Sequence, residues 1–226
     1  MQLIEKQCIP TSDGFWVLYE GGDYLQLKVI DKKEHVCAVV RASISPQKRL
    51  GVLVRKELQL QSFKCGHWTI GRIEEYAFCF CHGLTSVILP DTVTSIGASA
   101  FVGCSALASV SLPKSLTRID SGAFSGCTSL KSVTIPPSVT TIGMALFEHC
   151  KKLKSVDIQG PMTIIPKFTF FNCKHLSFVH LPESLKEIEE LAFAGCLKLK
   201  VLNLPASVTT IGADAFYNCP ISSDGI

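Results

Sequence analysis

The sequence predicts an α/β repeat solenoid with a β-rich cap at its N-terminal end. Three observations carry that prediction. Phenylalanine recurs at Phe78, Phe101, Phe124, Phe147, Phe170, Phe193 and Phe216, every step being 23 residues. Cysteine (Cys81 to Cys219), leucine (Leu84 to Leu199) and isoleucine (Ile73 to Ile211) follow in the same register, without an insertion. Before residue 64 the period is lost, and apolar and polar residues alternate instead.

Each unit begins with a short strand. Leu84 to Pro90 (LTSVILP) has period-two alternation, with Val87 and Leu89 on one face. Proline ends the strand because it cannot donate to a ladder. The VTSI stretch turns the chain back, and ASAFVGC suits a tight helical turn on the far side. One such unit offers roughly eight apolar side chains and cannot bury them alone, so units must stack into a continuous core. Stacked strands lie about 4.8 Å apart in a parallel sheet. The phenylalanines should then form a spine, with a small alanine before most of them (Ala77, Ala100, Ala123, Ala192, Ala215) leaving room for the next backbone.

The recurring L-x-x-[VL]-x-[LI]-P, I-x-x-x-A-F-x-x-C pattern resembles the BspA-type leucine-rich repeat over roughly Ile70 to Cys219. The resemblance implies a right-handed solenoid with a concave parallel sheet and short helical turns on the convex side. It also implies an interaction or adhesion role of the kind found in bacteria and protozoa. No catalytic residue belongs to that repeat, so none is carried over.

One unit departs from the pattern. Gln159 stands where proline is usual, Pro161 follows a glycine, Pro166 takes the usual glycine position, and Thr169 replaces alanine. The two prolines should distort this turn. At the N-terminus, Phe15–Tyr19, Leu25–Val29 and Val36–Val40 alternate between turn signals and predict an antiparallel meander that covers the first unit. Residues 50–68 suggest a degenerate first turn. The expected organisation is a cap over residues 1–63, a solenoid over 64–219 and a short tail over 220–226, in which Ser222 stands where leucine belongs.

Composition limits the function classes. Lys+Arg is 22 against 19 Asp+Glu, so the net charge of +3 does not single out nucleic acid or an anionic membrane as partner. No apolar run approaches the roughly 18 residues of a membrane span. The first residues carry charge and lack an apolar run, so no cleaved leader is expected. The 11 cysteines fall mostly in one inward column, which reads as a ladder of buried thiols donating weakly to backbone carbonyls. Reduced thiols favour a cytoplasmic setting, with a cell-surface location as the alternative. Cys65, His67, Cys79, Cys81 and His82 cluster, but C-x-H and C-x-C-H are not zinc-ligand spacings, so no metal and no cofactor is expected. No nucleophile elbow, phosphate loop or dinucleotide fingerprint is present, and the protein is expected to be no enzyme, an activity of the N-terminal segment being the remaining alternative.

The informative residues are then the outward strand positions. In the early units they are small and hydroxylic: Ser86, Ser109, Ser111, Ser132 and Thr134. In later units Phe178, His180 and Val201 are flanked by Lys131, Lys154, Asp157, Lys200 and Asn203. An exposed aromatic and aliphatic pair rimmed by charge predicts a protein-binding patch on the concave face. Lys151, Lys152, Lys174 and Lys198 lie nearby and read as solvating charge; without interleaved aromatics, nucleic acid is not the expected partner.

Overall fold

The computed structural model describes residues 5–12, 14–19, 24–31, 33, 36–43, 47–49, 52–54, 56–60 and 69–221. The N-terminal segment forms β1 (Glu5–Pro10), β2 (Gly14–Tyr19), β3 (Tyr24–Asp31), β4 (Val36–Ser43), β5 (Gln47–Arg49), β6 (Val52–Val54) and β7 (Lys56–Gln59). β1 to β4 are an antiparallel meander, as the alternation predicts. β7 pairs in parallel with β9 (Leu84–Ile88), as a degenerate first turn requires, while residues 50, 51, 55 and 61–68 of that stretch lie outside the described residues.

After β8 (Thr69–Ile73), each 23-residue unit contributes one longer strand and one two-residue strand, except the last, which has only the short one. The longer ones after β9 are β11 (Ser109–Ser111), β13 (Ser132–Ile135), β15 (Ser155–Ile158) and β17 (Phe178–His180). The short ones are β10 (Ser95–Ile96), β12 (Arg118–Ile119), β14 (Thr141–Ile142), β16 (Ile164–Ile165), β18 (Glu187–Ile188) and β19 (Thr210–Ile211). All pairings within the array are parallel and join residues one period apart, such as Val156 with Val179 and Ile96 with Ile119. β4 pairs in parallel with β8, and Leu25, Leu27, Cys37 and Val39 belong to the same core as the repeats.

The phenylalanine rings stand in single file. Successive centroids from Phe78 to Phe216 are 4.8, 5.3, 5.9, 5.8, 4.9 and 5.4 Å apart, with interplanar angles of at most 25°. Rings translated by one turn meet in offset stacks, a favoured aromatic geometry. Beside this file, the thiols of Cys104, Cys127, Cys150, Cys173, Cys196 and Cys219 each donate to the phenylalanine carbonyl 26 residues earlier, at 3.0–3.2 Å. The expected thiol ladder is therefore present.

The side opposite the longer strands differs from the expected helical turns and α/β class. Among the described residues there is no α-helix; each A-F-x-x-C stretch is a run of hydrogen-bonded turns. Two residues per unit take a left-handed conformation: Tyr76 and Phe80, then Ser99 and Gly103, and so on to Asp214 and Asn218. Alternate amides therefore leave their own turn and donate to the next one, as Phe78 N–H to Ala100 and Phe80 N–H to Val102. A helix would spend these donors internally. Glycine at position 103 serves twice: it accepts the positive φ, and a Cβ there would lie 2.3 Å from the Phe80 ring.

The irregular unit breaks the short-strand ladder, as its prolines predict. β14 and β16 are not paired, and the sheet divides there. In other units the residue after the isoleucine donates to the isoleucine one turn back, as Gly143 to Ile119 at 2.8 Å and Glu189 to Ile165 at 2.9 Å. Pro166 holds that place and has no N–H for the Ile142 carbonyl. A second column, Thr92, Ser115, Ser138, Ser184 and Ser207, donates hydroxyls to carbonyls 22 residues earlier at 2.6–2.8 Å. Pro161 interrupts it. Gly160 fills the space instead, packed so that a Cβ would sit 1.9 Å from the Val139 carbonyl oxygen. The buried Thr169 hydroxyl is satisfied by donating to the Pro166 carbonyl at 2.7 Å.

Candidate functional site

Inward and outward positions alternate on the longer strands, so the ladder that stacks the core also aligns the outward side chains in columns. Lys131 and Lys154 lie one above the other, with Lys154 N–H bonded to the Lys131 carbonyl at 2.8 Å and Ser177 N–H to that of Lys154 at 3.0 Å. Lys200 continues the column beyond Ser177.

Asp157 and His180 are register partners on β15 and β17. Their side chains meet, His180 Nδ1 lying 2.7 Å from Asp157 Oδ1, while Gln159 donates to the other carboxylate oxygen at 2.7 Å. Phe178 faces Ser155 in the same register, and the small neighbour leaves its ring 55% exposed. Val201 occupies the same column one turn later and is 59% exposed, although residues 201–205 form no strand. Asn203 is exposed beside it. The structure thus joins Asp157 to His180 directly and places Phe178, Val201, Lys154 and Lys200 on adjacent columns. Lys131 lies two turns from Phe178.

A feature not foreseen from the sequence lies two turns earlier. Ser109, Ser111, Ser132 and Thr134 line a groove of about 390 Å³ together with Lys114 and Gln159. Small residues on adjacent strands leave this depression; the signal was present in the Ser-rich columns but reads equally as ordinary surface.

The inner thiols are chemically quiet, whereas the half-buried Cys219 at the end of the ladder is shifted down by its contact with Cys196. Burial raises Cys104, Cys127, Cys150 and Cys173 well above the ordinary thiol range, and neighbouring thiols raise three of them further. Burial likewise pushes Cys37 up to about 12. A thiol kept protonated is neither nucleophile nor metal ligand. Cys65 and His67 lie outside the described residues, as does Ser222. His82 Nδ1 lies 3.2 Å from the Ser105 hydroxyl, and Cys79 is half-buried. Among the described residues no group of three His, Cys, Asp or Glu side chains could hold a metal ion, and no helix is long and apolar enough to cross a membrane.

Comparison with known proteins gives a consistent picture. The BspA type leucine rich repeat region matches in six copies over residues 56–174 and 101–222. The fold is similar to the crystal structure of a leucine-rich repeat protein from T. pallidum, 28% identical, with a TM-score of 0.75 and 89% of each chain covered. It is also similar to a leucine rich cell surface protein from Faecalibacterium prausnitzii, 26% identical, with a TM-score of 0.71; the match covers 97% of this chain and 54% of that one, so this chain spans about half its length. A leucine-rich repeat protein from Eubacterium ventriosum shares the fold at 20% identity and a TM-score of 0.56, with 74% of this chain and 66% of that one covered. No curated protein sequence matches.

Proposed function

We propose that this chain, which belongs to the BspA-type leucine-rich repeat family, is a non-enzymatic module that binds another protein through the concave face of its longer strands. The observation that carries this reading is the exposed Phe178 and Val201 pair beside the Asp157–His180 contact. A large aromatic left half in water on a rigid ladder gains most from being covered by a partner's apolar side chain. Lys131, Lys154, Lys200 and Asn203 form the polar rim, which sets orientation and encounter rate more than affinity. Residues 1–63 act as the cap of the array, 64–219 as the solenoid and 220–226 as a tail.

Replacing Phe178 and His180 by alanine should weaken partner capture from native cells by at least about tenfold, the loss expected of an anchor pair. It should leave the melting temperature unchanged. Undiminished capture by the double variant sinks the reading.

A second reading, adhesion at a cell surface, is favoured by the likeness to a cell surface protein. Proteolysis of intact cells separates the two. Loss of the intact chain supports surface adhesion, and full protection refutes it.

A further inference from the structure

Resting on the protein-binding reading above, we propose that the lysine ridge along the loops preceding the longer strands docks an acidic segment of the partner protein. The loops at residues 126–131, 149–154, 172–177 and 195–200 contain no aspartate or glutamate. They carry Lys131, Lys151, Lys152, Lys154, Lys174, Lys198 and Lys200, all exposed. None of these seven forms an ion pair among the described residues, whereas Lys167 on the far edge pairs with Glu190 at 3.1 Å. The carboxylates nearest the ridge are already engaged, Asp157 by His180 and Gln159, and Glu148 by Ser125. Glu183, Glu187, Glu189 and Glu190 lie on the opposite edge, in the segment leading into and following β18. The ridge therefore carries positive charge alone, whereas the opposite edge mixes these glutamates with Lys114, Arg118, Lys167 and Lys186.

The ridge is held in place. The leucine after each lysine-bearing turn donates back to its cysteine carbonyl, as Leu153 to Cys150 at 3.0 Å and Leu176 to Cys173 at 2.9 Å. His175 Nδ1 lies 2.6 Å from the Lys151 carbonyl oxygen. The backbone that carries these lysines is thus fixed, with successive turns about 4.8 Å apart, and their like charges repel one another. Carboxylates from a bound segment relieve that repulsion. An extended segment rises about 3.3 Å per residue, so a few alternating acidic residues span the ridge. Its apolar side chains then reach Phe178 and Val201. A nucleic acid fits less well, because Phe178 is the one phenylalanine, tyrosine or tryptophan at the described outward strand positions, and one ring makes no stacking platform along the lysine columns.

The test uses the full chain and a fluorescein-labelled peptide of alternating acidic residues and leucine, read by anisotropy at low and high salt. Two variants have equal net charge: Lys151→Gln with Lys174→Gln and Lys198→Gln on the ridge, and Lys28→Gln with Lys114→Gln and Lys186→Gln elsewhere. Circular dichroism confirms that both fold. The ridge variant should bind the peptide about tenfold more weakly than wild type and the control within about threefold, with binding weakening as salt rises. No binding by wild type, or equal losses in both variants, overturns the proposal. Tighter ridge-dependent binding of a single-stranded oligonucleotide would assign the ridge to nucleic acid, and ridge-dependent self-association would assign it to a second copy; either overturns it. If partner capture still depends on Phe178 while the peptide ignores the ridge, the ridge falls and the strand-face reading stands.

Discussion

Residues 107–137 and 153–183 build two stretches of one array that are alike inside and unlike outside. Leu107 matches Leu153, Phe124 matches Phe170 and Cys127 matches Cys173, all fully buried. Outside, the first stretch presents Ser109, Ser111, Ser132 and Thr134 under an open groove, and the second presents Phe178 and the Asp157–His180 pair. An inward side chain touches its own counterpart above and below, so any change there is felt by three turns. An outward side chain meets its counterparts only at the edge of water, and its identity is left to function.

The sharpest way to break this comparison is Phe124→Ala. It removes a ring stacked at 5.3 and 5.9 Å on its neighbours and should lower stability by about 3–5 kcal/mol in urea unfolding. The outward Phe178→Ala should stay within about 0.5 kcal/mol of wild type in the same assay. Equal losses at the two sites would mean that the strand face is part of the core.

The thiol ladder supplies a smaller effect per residue. Cys104, Cys127, Cys150 and Cys173 have folded values raised above the unfolded 9.0, so their contribution is fully present below pH 9 and is lost as pH rises toward those values. The unfolded chain releases these protons first. Each thiol should therefore remove about 1 kcal/mol between pH 9 and 10, approaching about 1.4 kcal/mol per pH unit above that. Urea unfolding at pH 8, 9 and 10 measures the slope, and Cys127→Ala should flatten it by one thiol's share. A slope unchanged by the substitution would show that other groups drive alkaline unfolding.

The smallest effect concerns the irregular turn. Amides of residues 161–168 should exchange with deuterium faster than their counterparts at 184–191, because Pro161 and Pro166 remove two bonds that tie the turn to the one before it. Pro166→Asp, which copies the regular Asp120, should slow that exchange while changing stability by less than about 1 kcal/mol. Unaltered exchange in the variant would separate the ladder break from the missing N–H.

The inward half of this fold was legible because stacking makes identity its own signal: a phenylalanine or cysteine at every twenty-third position has no other economical reading. The helical expectation for the A-F-x-x-C stretch rested on the need for a tight turn and on the family resemblance, and it missed a competing clue. Gly103, Gly126, Gly195, Asn172 and Asn218 share one column, and glycine and asparagine are the residues that best tolerate a left-handed backbone. The site was only partly legible. Phe178 and His180 stood out as departures from a small, polar column, whereas the groove over Ser109 and Thr134 did not, since serine is also what an idle surface carries.

The sequence alone determined the stack, its period, the single file of rings and the place where prolines interrupt the ladder, because each follows from what one residue type does when repeated. Only the tertiary structure decided where the backbone donors go, that Asp157 and His180 join, and that the lysines of four loops run along one edge with no ion pair among the described residues. Those outcomes depend on which turn lies against which, and hydrogen bonds and charge contacts between turns leave no mark within a single unit.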